Sequence, residues 1–421
     1  MPKKEAETKE NNSRKENVLW LGLTSMFADV SSEMLNPILP LFLANILGAG
    51  GLIIGLVEGL AKASEHILSI FSGWFSDRMQ RKKPLTVAGY LIATLMKATY
   101  AFAFTWPQLM LARIIERTGK AIRSPPRDAL ISESLTASQQ RWGFSLHRIL
   151  DTLGAIAGPF VTIAFLLFLG MNLQTLIQNK ELLSSISREI FLLSLIPGMI
   201  GVMVVAFLVT ETSKVKFEPR KRRENIASLL MDLFSVSKYG KRYRNFLVAS
   251  LMLFLAIPAM AFLYLRASQT GFMIVDIFLL AALYNITYIT GAAIVGRIKY
   301  RSRAVISASM LVLAVIFGSF VFAKGLLFIV PFAVFGFVIG MFEVAMREYT
   351  TEIVPKRILA SAFGTYRTLT GLTILASGLM LGTLWDISPD YAFAVAGVLS
   401  LTSFLYFMKK RNMGEFFKTT K

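Results

Sequence analysis

The sequence predicts an all-α polytopic membrane protein, with about twelve transmembrane helices in two six-helix, pseudo-symmetric bundles. Three observations carry this. Of 421 residues, 54% are hydrophobic and 17% charged, and the mean hydropathy is +0.57; a soluble chain is nearer a quarter charged. Apolar runs of about 20 residues recur, each long enough to cross a hydrocarbon core of roughly 30 Å as a helix. The chain also aligns with itself: one offset matches Glu133 with Glu352, Phe144 with Phe363 and Arg148 with Arg367, and a nearby one matches "GWFSDRMQR" with "GRIKYRSR".

In chain order the spans fall at 18–47, 51–76, 84–105, 107–130, 142–169 and 189–210, then 244–266, 272–296, 303–323, 326–350, 358–384 and 388–409. Residues 1–17, "MPKKEAETKENNSRKEN", are polar and basic. The apolar stretch after them is too long for a signal-peptide core and lacks a small-residue cleavage site, so a cytoplasmic tail of low order is expected there. The first bundle is then 18–210, the second 244–409, and 410–421 forms a short tail. The linker 211–243 is strongly basic. Within it Ile226, Leu229, Leu230, Leu233 and Phe234 recur at helical spacing, which predicts a short amphipathic helix at the interface.

Lys and Arg set the orientation. Alternate gaps hold Arg78, Arg81, Lys82 and Lys83, the run from Lys214 to Arg244, and Arg297 to Arg303, whereas the other gaps hold only Lys180, Arg188, Arg266 and Lys324. Basic residues collect in cytoplasmic loops, so both termini are expected inside and the membrane is expected to be the plasma membrane. The net charge of +19 has the same origin, and no nucleic-acid partner is implied. With no cysteine, disulfides and Cys-ligated metals are excluded.

"GWFSDRMQRKK" resembles the signature loop between helices 2 and 3 of the major facilitator superfamily, through Gly73, Asp77, Arg78, Arg81, Lys82 and Lys83. Together with the degenerate copy at Gly296, this resemblance covers nearly the whole chain. It implies a secondary transporter working by alternating access, with the substrate site at the midplane between the halves. "NPILPLF" in the first span, Arg113 in the fourth, and "GAIAGP" (Gly154, Gly158, Pro159) in the fifth resemble motifs of the drug/proton antiporter branch. The match is incomplete, because Phe160, Val161 and Thr162 follow the helix-5 motif and Arg117 stands where the branch has Gly. Independently of family, Gly154 and Gly158 share a helix face and permit close packing. Asp77 and Arg78 stand where the second span meets the cytoplasm, with Asp128 and Glu133 placed to answer Arg78. With Gly73, Arg81, Arg148 and Arg367 they form the candidate cytoplasmic gate.

The run "ARIIERTGKAIRSPPRD" places seven charges in seventeen residues, Ala112 to Asp128. Six of them fall in an arc of roughly 120° on a helix. That stripe cannot face lipid, where one charge at the bilayer centre costs at least about 2.5–3.5 kcal/mol. Pro125 and Pro126 are expected to bend or end the helix near Ser124, leaving Arg123, Arg127 and Asp128 at the surface. Arg113, Glu116, Arg117 and Lys120 form the interior stripe. Asp29 and Glu33 are the proton-coupling candidates. Counting 1.5 Å per residue from each membrane face sets Asp29 level with Arg117 and Glu33 level with Arg113. Substrate-cavity candidates are Glu58, Glu65 and Asp151 on an ionic wall and Tyr284, Asn285, Tyr288 and Phe335 on an aromatic one.

These features favour proton-coupled efflux of amphipathic small molecules. An importer or exchanger of an organic anion is the alternative, and a receptor or enzyme a remote one. "HRILD" at His147 to Asp151 is one residue short of a His-x4-Asp acyltransferase pattern, and with two His, no Cys and no other nucleophile motif no enzyme is expected. No cofactor beyond a proton or other ion gradient is expected. The expected partners are a small molecule and the bilayer, and the expected state is a monomer.

Overall fold

The computed structural model describes residues 2–76, 81–136, 138–170, 179–211, 236–297 and 300–415, with side chains from 15 to 409 except 357 and 360. Among them there is no strand. Twelve helical segments follow one another: α1 (Pro2–Glu33), α2 (Gly51–Ser76), α3 (Lys83–Tyr100), α4 (Trp106–Glu133), α5 (Gln140–Phe168) and α6 (Lys180–Leu208), then α7 (Lys241–Gln269), α8 (Ile274–Arg297), α9 (Ser302–Phe322), α10 (Gly325–Ile353), α11 (Leu359–Ile387) and α12 (Pro389–Glu415). Eight of these, α5 to α12, are apolar enough to cross a membrane by length and composition. The first four carry Asp29, Glu33, Glu65, Lys97 and the α4 stripe, charges that lower their hydropathy.

Two local outcomes differ from the expectations. Helix α1 begins at Pro2, so a helix runs through the predicted low-order tail; that segment is rich in Lys and Glu, which favour helix. Helix α4 is continuous through Pro125 and Pro126 instead of breaking near Ser124. A proline leaves the carbonyl four residues earlier without its amide donor. The Ile122 carbonyl freed in this way accepts from the Ser72 hydroxyl of α2 at 2.8 Å, so the helix passes the prolines with that group satisfied. As a result Arg123 is 4% exposed and belongs to the interior, not the surface. The predicted linker helix at Ile226–Phe234 lies outside the described residues.

The chain forms two compact units, residues 1–47 with 64–220 and residues 48–63 with 221–421. The bundle predicted over 18–210 thus gives up the first half of α2. In the second unit that half meets α11 at backbone distance. A Cβ on Gly55 would stand 1.9 Å from the Gly378 carbonyl oxygen, and one on Gly59 3.0 Å from the Leu375 Cα. The Asp386 carboxylate accepts from the Gly51 and Leu52 amides, capping the helix where its amides lack partners. The rest of this unit is packed by rings: Phe317, Phe320, Phe328, Phe332 and Phe342 are buried. Arg266 binds Asp390 at 2.6 Å and the Phe320 and Val321 carbonyls.

In the first unit α1 and α5 pack along the Gly154–Gly158 face. A Cβ on Gly154 would lie 2.2 Å from the Met26 carbonyl oxygen and one on Gly158 2.7 Å from that of Val30. An apolar layer of Val18, Leu21, Leu130, Ile131, Leu135 and Val205 closes the end where α1 enters and α4 ends.

Candidate functional site

The charge stripe of α4 is the centre of the first unit, and its spacing places the residues as the sequence implied. Arg113 and Glu116 are almost completely buried. Arg113 Nη1 donates to Glu116 Oε2 at 3.0 Å, the Tyr100 hydroxyl donates to the same oxygen at 3.0 Å, and Arg117 Nε stands 3.6 Å from it. Arg117 Nη1 also donates to Glu65 Oε2 of α2 at 3.4 Å. A carboxylate at three residues' remove on one helix is a ready partner. It takes both arginines that the depth estimate had assigned to helix α1.

Glu33 and Arg113 nevertheless communicate. Pro37 denies the chain an amide and restricts the residue before it. Helix α1 accordingly ends at Glu33, and turns carry the chain to Leu39. Asn36 in that turn accepts from Arg113 Nη2 at 3.2 Å and donates to Glu33 Oε1 at 2.8 Å. Beside this bridge, Lys97 of α3, 2% exposed, donates to the Ser31 and Ser32 hydroxyls at 2.9 Å each.

Asp29 meets the second carboxyl, not an arginine. Its side chain lies near that of Asp151 on α5, each in the other's field, and two carboxyls so placed repel unless they share a proton. One turn toward the start of both helices, Ser25 Oγ lies 2.8 Å from His147 Nε2, 2.8 Å from the Tyr90 hydroxyl and 3.1 Å from Arg127 Nη1. Arg123 stacks over the Tyr90 ring at 3.9 Å. Neither Lys120 nor Arg123 makes a close ion pair among the described residues. Lys120 acts on Asp29, Glu33, Glu116 and Asp151 only at longer range.

Of the predicted gate, Asp77 and Arg78 lie outside the described residues. Gly73 faces Pro125, where a Cβ would meet ring carbons at 3.7–4.0 Å. Arg81 and Arg367 are exposed, and Arg148 pairs loosely with Asp151 at 3.6 Å. Asp128 is held by Arg127 at 2.8 Å. Glu133 pairs with Lys82, a residue that basic-loop statistics alone had explained. Its repeat counterpart Glu352 accepts from the Ser302 hydroxyl at 2.7 Å.

In the second unit Tyr284 and Tyr288 stack at 6.1 Å, and Tyr288 donates to Glu343 at 2.7 Å. Asn285 donates to the Ala281 carbonyl of its own helix. Phe335 is buried against Tyr284 and Phe317, so it packs between helices. Glu58 lies half-buried on the half of α2 grouped with this unit. Among the described residues no cluster of His, Asp and Glu could hold a metal ion.

Sequence reasoning missed Lys97, Asn36, Tyr100 and Ser25, and it gave Lys82 no partner. Lys97 had a signal, being a lone Lys inside an apolar span, where ionisable residues mark function. The polar neutral partners had none, since hydroxyls and amides are common in spans.

Twelve long helical segments in two units, the first holding a buried charge network, define a polytopic membrane protein with ionisable groups in its interior. The profile of the Major Facilitator Superfamily matches residues 21–275. An uncharacterized MFS-type transporter of Methanocaldococcus jannaschii is 31% identical over 399 residues, 92% of this chain and 93% of that protein. The chain belongs to the major facilitator superfamily. It is also similar to the multidrug resistance protein MdtH of Aeromonas hydrophila, 28% identical over 142 residues that cover 34% of this chain and 36% of that protein. Among solved structures, the nucleoside transporter NupG superposes with a TM-score of 0.73 at 16% identity, over 93% of this chain and 98% of that one. A peptide transporter POT in complex with sulfate gives 0.73 at 13% identity, over 94% of each. These two show the fold. The protein is therefore a multi-pass membrane transporter for a small-molecule substrate.

Proposed function

We propose that this transporter is a proton-coupled exporter of amphipathic small molecules in the plasma membrane, monomeric and with both termini in the cytoplasm. The observation that carries the reading is the half-buried Asp29–Asp151 pair. Two carboxyls that share one proton are a loading site, since their repulsion rises when the proton leaves. Lys120 and Arg123, not committed to close ion pairs among the described residues, can compensate the negative charge that remains. The antiporter-like motifs of the first, fourth and fifth spans support export, as does the partial similarity to a multidrug resistance protein. Asp29 is thus the coupling residue in this reading, with Glu33 held by Asn36 as its neighbour. The test uses everted vesicles and ethidium as an amphipathic probe. Asp29→Asn should abolish accumulation driven by a pH gradient and leave ethidium exchange intact; gradient-driven accumulation at the wild-type rate in that variant would refute the assignment.

A second reading, exchange or import of an organic anion, is favoured by the same two cations. Lys120 and Arg123 would then bind the substrate's carboxylate or phosphate. Counterflow of a labelled organic acid in vesicles, with no pH gradient, distinguishes the two.

A further inference from the structure

Helices α1 and α5 carry two polar rungs in register. Asp29 and Ser25 stand four residues apart on α1, as Asp151 and His147 do on α5. The carboxyl rung and the hydroxyl–imidazole rung are therefore separated by one turn, roughly 6 Å. One turn further along both helices the polar groups stop: Leu21 is fully buried, and Gly143 lies against Leu135 and Val18. His147 is the last titratable group of this pair of helices before the apolar layer.

Its surroundings fix how it is held. The groups around it are Ser25 and Asp29 on α1, Tyr90 on α3, Arg127 and Asp128 on α4, and Arg148 and Asp151 on its own helix. The Ser25 hydroxyl has one proton and two lone pairs. Arg127, permanently charged, fills one lone pair from 3.1 Å. If His147 Nε2 donates to the other and Ser25 donates to Tyr90, every capacity of the hydroxyl is used. Nδ1 is then the nitrogen left to take a proton. Arg127 also ties this rung to Asp128, whose side chain is 51% exposed, so the rung reaches solvent through α4 and not through the apolar layer.

We propose that His147 relays the coupling proton between the Asp29–Asp151 pair and the cytoplasmic face, with Ser25 as the residue that positions its ring. The step balances. The shared proton leaves the carboxyl pair, which becomes two carboxylates, and Nδ1 accepts it, making the ring an imidazolium. Release to water or to the Asp128 carboxylate restores the neutral ring. Nε2 keeps its hydrogen throughout in the arrangement where Ser25 donates to Tyr90. This rests on the proton-coupled reading above.

The chain has two histidines, so His66→Asn leaves His147 as the sole imidazole signal in a ring-15N-labelled sample. In that background Asp151→Asn should move the His147 titration midpoint by about one pH unit or more, because a carboxylate one turn away stabilises the imidazolium. Ser25→Ala should shift the tautomer away from Nε2–H. In vesicles, His147→Gln should slow pH-gradient-driven ethidium flux by about a hundredfold or more, the range of a lost proton-transfer group, and leave ethidium exchange unchanged. A purely structural histidine would slow both. A midpoint that ignores Asp151→Asn overturns the relay. So does wild-type gradient-driven flux with an unchanged pH profile in His147→Gln. Wild-type flux that ignores the gradient overturns the coupling reading and the relay together, which separates the two failures.

Discussion

Gly154→Ala isolates the packing on which the α1–α5 rungs depend. The added Cβ would stand 2.2 Å from the Met26 carbonyl oxygen and 2.9 Å from the Met26 Cα and carbonyl carbon. These are backbone atoms, so no side chain can turn aside. Restoring ordinary carbon–oxygen contact requires the helices to part by about 1 Å in an interior packed as densely as a crystal. Overpacking of this kind costs about 1–3 kcal/mol. Gly318 in α9 supplies the control, since a Cβ there meets nothing within 4 Å. Within a helix Gly→Ala at such a site stabilises by about 0.5–1 kcal/mol. The two variants make the same chemical change and should shift the unfolding temperature in opposite directions, Gly154→Ala downward by roughly 2–10 °C. Thermal unfolding of purified protein in one detergent, at one heating rate, reads this directly. A Gly154→Ala protein as stable as Gly318→Ala would refute the close approach of α1 and α5.

Glu116→Ala leaves Arg113 buried without its carboxylate and should destabilise by about 3–5 kcal/mol, whereas Arg113→Ala combined with Glu116→Ala should cost less than the sum of the single changes when their unfolding is compared. Gly59→Cys with Leu375→Cys, in a chain free of other cysteines, should form a disulfide under mild oxidation, seen as a changed gel mobility; failure to form it would contradict the contact of α2 with α11. Glu181→Cys should react with an impermeant maleimide from outside intact cells and Lys356→Cys only after permeabilisation, and the opposite pattern would reverse the topology.

The fold was legible because hydropathy and Lys/Arg distribution are properties of segments, and twelve segments average out local error. The α4 stripe was legible for a similar reason: six charges at helical spacing within an apolar chain have only one place to go. Partner identity was not. Depth along the membrane puts Arg113 near Glu33, but Glu116 lies one turn away on the same helix and wins, and an asparagine in a proline-made turn carries the remaining link. The Asp29–Asp151 proximity was hidden because like-charged residues are not expected to pair unless a proton is counted. The proline pair misled because the rule for proline concerns the helix alone, whereas the Ser72 hydroxyl that completes α4 comes from a neighbouring helix.

That single hydroxyl gives α4 a mechanical property. Above Ile122 the helix is anchored by Arg113, Glu116 and Arg117; below it lie Arg127, Asp128 and Glu133. Between the two segments the prolines have deleted amide donors, and one detachable bond from Ser72 stands in. Releasing it exchanges about 0.5–1.5 kcal/mol, far less than melting a turn of ordinary helix. The lower segment has its own moorings, Arg127 on Ser25, Glu133 on Lys82 and the buried Leu130 and Ile131, so a bend at this joint would be resisted by those contacts and hardly at all by the helix itself.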